Sequence, residues 1–137
     1  MKLDTLDRIF SLCVRERANW TCEHCGVNHR HDPSYMDCSH IFGRRHRSTR
    51  WEPLNAHALC KKCHTYFTDR PTEFTAWVKT TMSDEDYREL HDKHHQIFKS
   101  SKADRKEAVK WFRAQHKEIC ERREKGEEGY INFAGYW

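Results

Sequence analysis

Apolar residues recur at three- to four-residue spacing near the start of the chain, at Leu3, Leu6, Ile9, Phe10, Cys13 and Val14. That period predicts an amphipathic helix over 3–18. The stretch 19–26 breaks the pattern, and 27–36, with its Asp32-Pro33 pair, reads as a loop or turn. Two short stretches, 37–42 and 54–59, are compatible with strands, and Gly43 ends the first. From Leu59 onward the chain is expected to form a helix that carries Cys60, Cys63 and His64. Pro71 suits the first turn of a further helix through Phe74, Trp77 and Val78. Ser83, followed by Asp84, Glu85 and Asp86, predicts an N-cap and an acidic first turn, with that helix running to about Phe98. A longer helix is expected over 104–125, with Val109, Phe112, His116 and Ile119 along one face, ended by Gly126 and Gly129. The tail YINFAGYW is aromatic. These elements imply an α+β, mainly helical chain, with a mixed core at 20–70 flanked by helices.

Composition changes this picture in one respect. Only 36% of the 137 residues are hydrophobic and the mean hydropathy is -1.07, so apolar material for a core is scarce. Domains this poor in core usually rely on a metal or disulfide staple. The seven cysteines are an odd number, and four fall into two Cys-x-x-Cys pairs, which favours metal binding over a disulfide framework. No apolar run approaches the length of a membrane span, and the N-terminus lacks a signal-peptide core. A soluble protein of a reducing cytoplasm is therefore expected.

Cys22 and Cys25 form one pair, Cys60 and Cys63 the other. Each places two thiolates within reach of one ion, and together they complete a tetrahedral four-cysteine zinc site. His24, His29 and His31 lie close enough in sequence to replace a ligand, though nothing requires it. A closed four-thiolate site has no open coordination position, so the zinc is structural and any chemistry lies elsewhere. Cys13, Cys38 and Cys120 read as small hydrophobes. Trp20, Trp51, Trp77 and Trp111 read as packing residues.

The net charge of +4 says little about partners, but its distribution says more. Arg44, Arg45, Arg47 and Arg50, with His46 among them and no acid, form a local basic stripe of the kind that holds phosphates.

Between the two cysteine pairs stand His40, Asn55 and His57, and His64 follows the second pair. This arrangement resembles the HNH, or ββα-metal, nuclease superfamily, with His40, Asn55 and His64 at the motif positions. The run SHIFGRRHRSTRWEPLNAHALCKKCH resembles more narrowly the phage NinG (Rap) recombination-nuclease family, over about residues 13–80. The resemblance implies a zinc-stapled ββα-metal core, a metal-dependent DNA endonuclease activity and a phage or prophage origin. The chemistry suits these residue types independently. Phosphodiester hydrolysis needs a water deprotonated near neutral pH, which imidazole can do, and positive charge on the phosphate, which a divalent ion supplies. His40 is accordingly assigned as general base and His64 as ligand of a catalytic Mg2+ or Mn2+. Asn55 holds the loop or tunes the base, and His57 is a second candidate ligand or phosphate contact. Arg44 and Arg45 are assigned to phosphates near the scissile bond, Arg47 and Arg50 to the backbone further out. Ser39 stands where many members of the superfamily carry a metal-holding acid, and Asp37, two residues earlier, is left without a firm role.

The expected division is a nuclease core over 1–80 and a helical C-terminal extension over 81–137 packed on it. The expected partner is DNA, cut singly or on both strands, or cut at branches. A homodimer would suit paired cuts and a monomer nicking. The alternatives are a non-catalytic zinc-knuckle DNA-binding module and a recombination accessory protein.

Overall fold

A computed structural model describes residues 2–137. Helix α1 (Thr5–Arg17) is followed by a cysteine-bearing loop and a short 3-10 turn that leads into strand β1 (Met36–His40). The basic loop holds a one-turn helix, α2 (Arg47–Arg50), and a second 3-10 turn leads into β2 (Ala56–Cys60). Helices α3 (Lys61–Thr68), α4 (Pro71–Thr80), α5 (Asp84–His94) and α6 (Lys102–Glu124) complete the chain, followed by the aromatic tail. β1 and β2 pair antiparallel, from Met36 opposite Cys60 to His40 opposite Ala56. The order of the central elements is thus strand, strand, helix, in a mainly helical chain.

Helix starts follow local chemistry. Asp4 accepts from the Asp7 amide and Asp7 reaches back to the Asp4 amide, a reciprocal cap for α1. Ser101 and Asp104 do the same for α6, so that helix starts slightly before the expected position. Ser83 caps α5 as expected. α5 ends at His94, four residues short of Phe98, whose ring packs instead against Trp51 and Trp137. No apolar period signals the α2 turn inside the basic loop.

α1 is the hub of the packing. Its Leu6, Phe10, Cys13 and Val14 are buried, and Phe10 meets Phe112 of α6 edge-on at 5.4 Å. Phe133 of the tail packs against both rings, and Ile131 donates its amide to the Arg17 carbonyl. Fully burying one such aromatic contributes roughly 1.5–3 kcal/mol. One hydrophobic cluster runs from Leu6 through the hairpin to Phe112, Ile119 and Phe133, so the C-terminal segment completes the core built by the first half. Among the described residues no helix is long and apolar enough to cross a membrane.

Candidate metal centre and basic groove

The cysteine pairs converge. The Sγ atoms of Cys22, Cys25, Cys60 and Cys63 all lie within 4.8 Å of one another, and Cys25 and Cys60 are 3.9 Å apart. Four zinc–sulfur bonds of about 2.3 Å in a tetrahedron require sulfur–sulfur edges of about 3.8 Å. The cluster therefore has the size and donor set for structural zinc. The backbone shapes the first pair into a tight hairpin. The Cys22 amide donates to the Val27 carbonyl, the Gly26 amide donates to the Cys22 carbonyl, and Gly26 takes φ +78°, a value that glycine adopts without strain. Glu23 then clips this hairpin to β2: its amide donates to the Ala58 carbonyl and its carboxylate accepts from the Ala58 amide. Cys60 is the residue preceding α3 and Cys63 lies in its first turn, so the helix start sets the second pair. His24 lies 3.3 Å from the Cys63 sulfur through Nδ1 and packs on Phe67 and Trp77, beside the cluster rather than in it.

A groove of about 780 Å³ lies next to β1, with α1 and the start of α3 contributing to its walls. His40, at the end of β1, and His64, on α3, both line it, as do Asp37 and Arg44. His64 donates from Nδ1 to Asp37 Oδ2 at 2.9 Å, and Lys61 donates to the other Asp37 oxygen at 2.8 Å. Burial pushes the Asp37 carboxyl up, but the bonds from Lys61 and His64 outweigh it and hold the group below its ordinary value. Donation from Nδ1 fixes the tautomer and leaves His64 Nε2 without a proton and free to accept, the arrangement by which carboxylates orient metal-binding histidines in general. Asp37 is the site residue that sequence reasoning leaves without a role. The hairpin register is the signal that finds it, because β1 begins opposite Cys60 and so beside the first turn of α3.

His40 is oriented from the other direction. Its Nε2 donates to the Arg50 carbonyl at 3.1 Å, which leaves Nδ1 as the basic nitrogen. Burial lowers this imidazole to about 4, with the nearby Arg44 adding to the effect, so the ring is neutral near pH 7. Asn55, fully buried, uses its whole amide on the loop. Oδ1 accepts from the Phe42 amide, while Nδ2 donates to the Phe42 and Thr49 carbonyls. It is a positioning residue that fixes the loop between His40 and Arg50.

Two placements differ from expectation. His57 does not line the groove with His64. It pairs with Ser39, one residue out of step with His40, and lines a separate pocket with Arg17 and Thr81. Its Nε2 bonds to Thr81 Oγ1 at 2.9 Å and its ring packs against Trp77. The Thr81 hydroxyl spends its proton on the Val78 carbonyl, so His57 is the donor and a structural partner rather than a ligand beside His64. Arg50 is not a surface cation. It is 5% exposed, and its Nε and Nη2 bond both Asp7 oxygens at 2.9 and 2.6 Å. Trp51 Nε1 adds a third bond to Asp7. A buried guanidinium demands such a partner, and α1 supplies it. Of the remaining loop arginines, Arg44 lines the groove, whereas Arg45 and Arg47 are exposed.

A second mixed group, Glu16, His116 and Cys120, lies between α1 and α6. Glu16 already bonds Arg30 and Trp20 and lies beside Arg123, and these partners account for its burial without a metal ion. No family model, curated protein or solved structure matches the chain.

Proposed function

We propose that the chain is a zinc-stapled, metal-dependent endonuclease of the HNH type that hydrolyses DNA phosphodiester bonds in the groove beside β1. The observation that carries this reading is the meeting of His40 and His64 in one arginine-lined groove, with each ring oriented by a hydrogen bond from its rear nitrogen. A carbonyl behind His40 suits a base, because it holds the neutral tautomer. A carboxylate behind His64 suits a metal ligand, because it makes the front nitrogen more electron-rich.

In this reading, His40 Nδ1 takes a proton from a water molecule as the water oxygen bonds to phosphorus. The bond from phosphorus to the 3′ oxygen breaks, and the leaving oxygen takes a proton from solvent. His64 would hold a divalent ion through Nε2, and the chemistry that ion would supply is positive charge for the phosphate and the leaving oxygen. Arg44 holds the same phosphate, and Asn55 keeps the loop that carries Arg44 in register with the end of β1. Burial and Arg44 together keep the proton affinity of His40 low. A phosphate anion in the groove offsets the smaller, Arg44 part of that lowering.

Supercoiled plasmid with zinc-loaded protein tests this. Relaxed or linear product should form with added Mg2+ or Mn2+, stay absent without them, and fall about 100-fold or more in His64→Ala. DNA binding without cleavage of plasmid, branched or single-stranded DNA under any of these ions would favour a non-catalytic zinc-knuckle DNA-binding module.

A further inference from the structure

Helix α1 contributes a face that the motif positions do not include. Arg8, Ser11, Leu12 and Arg15 line the groove that His40, Arg44 and His64 also line. Their three- to four-residue spacing puts them on one side of the helix. Arg8 is exposed and Arg15 half-buried. The groove also contains two carboxylates, and both are engaged: Asp7 by Arg50, Asp37 by Lys61 and His64. Among the described residues, Arg8, Arg15 and Arg44 have no carboxylate partner, whereas Arg30, Arg50 and Arg123 do. Buried Arg17 spends its donors on the carbonyls of Pro53 and Ala56.

Arg15 is the informative residue. Its Nε donates to the Ser11 carbonyl at 3.2 Å and its guanidinium lies 4.8 Å from the Trp20 ring centroid. Trp20 is itself held with φ +56° and bonds Glu16 through its indole nitrogen. The cation is thus fixed in place, partly removed from water, and without an ion-pair partner, the nearby Asp37 being bonded to Lys61 and His64, an arrangement that favours an anionic ligand. Arg8 and Arg15 are seven residues apart, about 10 Å along the helix axis, far enough to meet separate phosphates.

We infer that α1 is a second phosphate-binding wall, in which Arg8 and Arg15 hold the nucleic-acid backbone to either side of the phosphate that faces His40 and His64. This rests on the nuclease reading for the position of the scissile phosphate, but binding by the wall does not depend on cleavage. The backbone is gripped from α1 and from the arginine loop at once. The Asp7–Arg50 pair joins these two elements, so their spacing is set by a buried ion pair.

The test is fluorescence anisotropy with a labelled DNA duplex across a range of KCl, without a catalytic ion. Removing one phosphate-binding cation should lower the slope of log affinity against log salt by about 0.9. Arg8→Ala and Arg15→Gln should each show that drop with several-fold weaker binding, and Arg15→Lys should restore the slope. Arg113→Ala, an exposed arginine of α6 outside the groove, removes equal charge and should leave the slope unchanged. Thermal melts of each variant establish that folding is intact. Slopes for Arg8→Ala and Arg15→Gln equal to that of Arg113→Ala would overturn the wall, as would a wild type that does not bind DNA. The same variants in the plasmid assay separate the two claims. Reduced slope without any wild-type cleavage keeps the wall and removes the nuclease. Cleavage with unchanged slopes does the reverse.

Discussion

On one side of the β1–β2 hairpin, His40 lines an open groove with Asp37, Arg44 and His64. On the other, His57 is held between Trp77 and Thr81. Burial lowers both imidazoles to about 4, so proton affinity does not tell them apart. Their surroundings do. His40 keeps a basic nitrogen in a groove that also holds a second oriented histidine and unpaired arginines. His57 has a single hydrogen-bond partner and a nitrogen, Nδ1, with none. A perturbed titration marks burial. A site needs space and converging groups as well.

The largest expected effect removes both sides together. Cys60→Ser takes one thiolate from the cluster at the junction of β2 and α3, and structural zinc in small domains contributes on the order of 10 kcal/mol. The variant should lose its helical circular dichroism and fail to retain one zinc per chain. A folded, zinc-free variant would show that the hydrophobic cluster suffices without the staple.

Breaking the Asp7–Arg50 pair acts on the groove side alone. Asp7→Ala leaves a buried guanidinium without a partner and should lower stability by about 3–5 kcal/mol in urea unfolding. It should also loosen the carbonyl that orients His40, so DNA cleavage should fall further than stability alone explains. A loss under about 1 kcal/mol would mean that Arg50 finds water or another acceptor.

A smaller effect belongs to the other side and follows pH. Both histidines titrate lower in the folded chain than their ordinary 6.5. Between about pH 4 and 6.5 the unfolded chain therefore binds more protons. The stability contributed by the two neutral rings is complete above pH 6.5 and is lost as pH falls through 4, on the order of 3 kcal/mol for each ring. His57→Gln removes one share. It should be less stable than the wild type at pH 7, and the gap should narrow as pH is lowered to 4.5. A gap that does not change with pH would mean that His57 titrates alike in both states.

Much of this arrangement is legible in the residues. The two Cys-x-x-Cys pairs announce their convergence because each has the bite for one ion, and the helices follow from apolar period and, for α5, from the Ser83 cap. His40 and His64 are singled out by the resemblance of the run that carries them to a known nuclease motif. Direction is what the residues alone do not carry. His57 is equivalent to its neighbours until the hairpin register places it opposite Ser39. Arg50 resembles the other loop arginines, but the α2 turn points it inward to an acid 43 residues away in sequence. Asp37 acquires a role only through the meeting of β1 with α3. Each of these depends on a long-range contact that carries no local pattern.

The most direct measurement is a side-by-side cleavage assay of His40→Ala and His57→Ala on supercoiled plasmid with Mg2+ or Mn2+, using protein confirmed as folded and zinc-loaded. The account predicts a loss of about 100-fold or more for His40→Ala and, at a temperature where both variants are folded, near wild-type cleavage for His57→Ala. Full cleavage by His40→Ala, or equal losses in the two variants, would contradict the assignment of the groove beside β1 as the reacting side of the molecule.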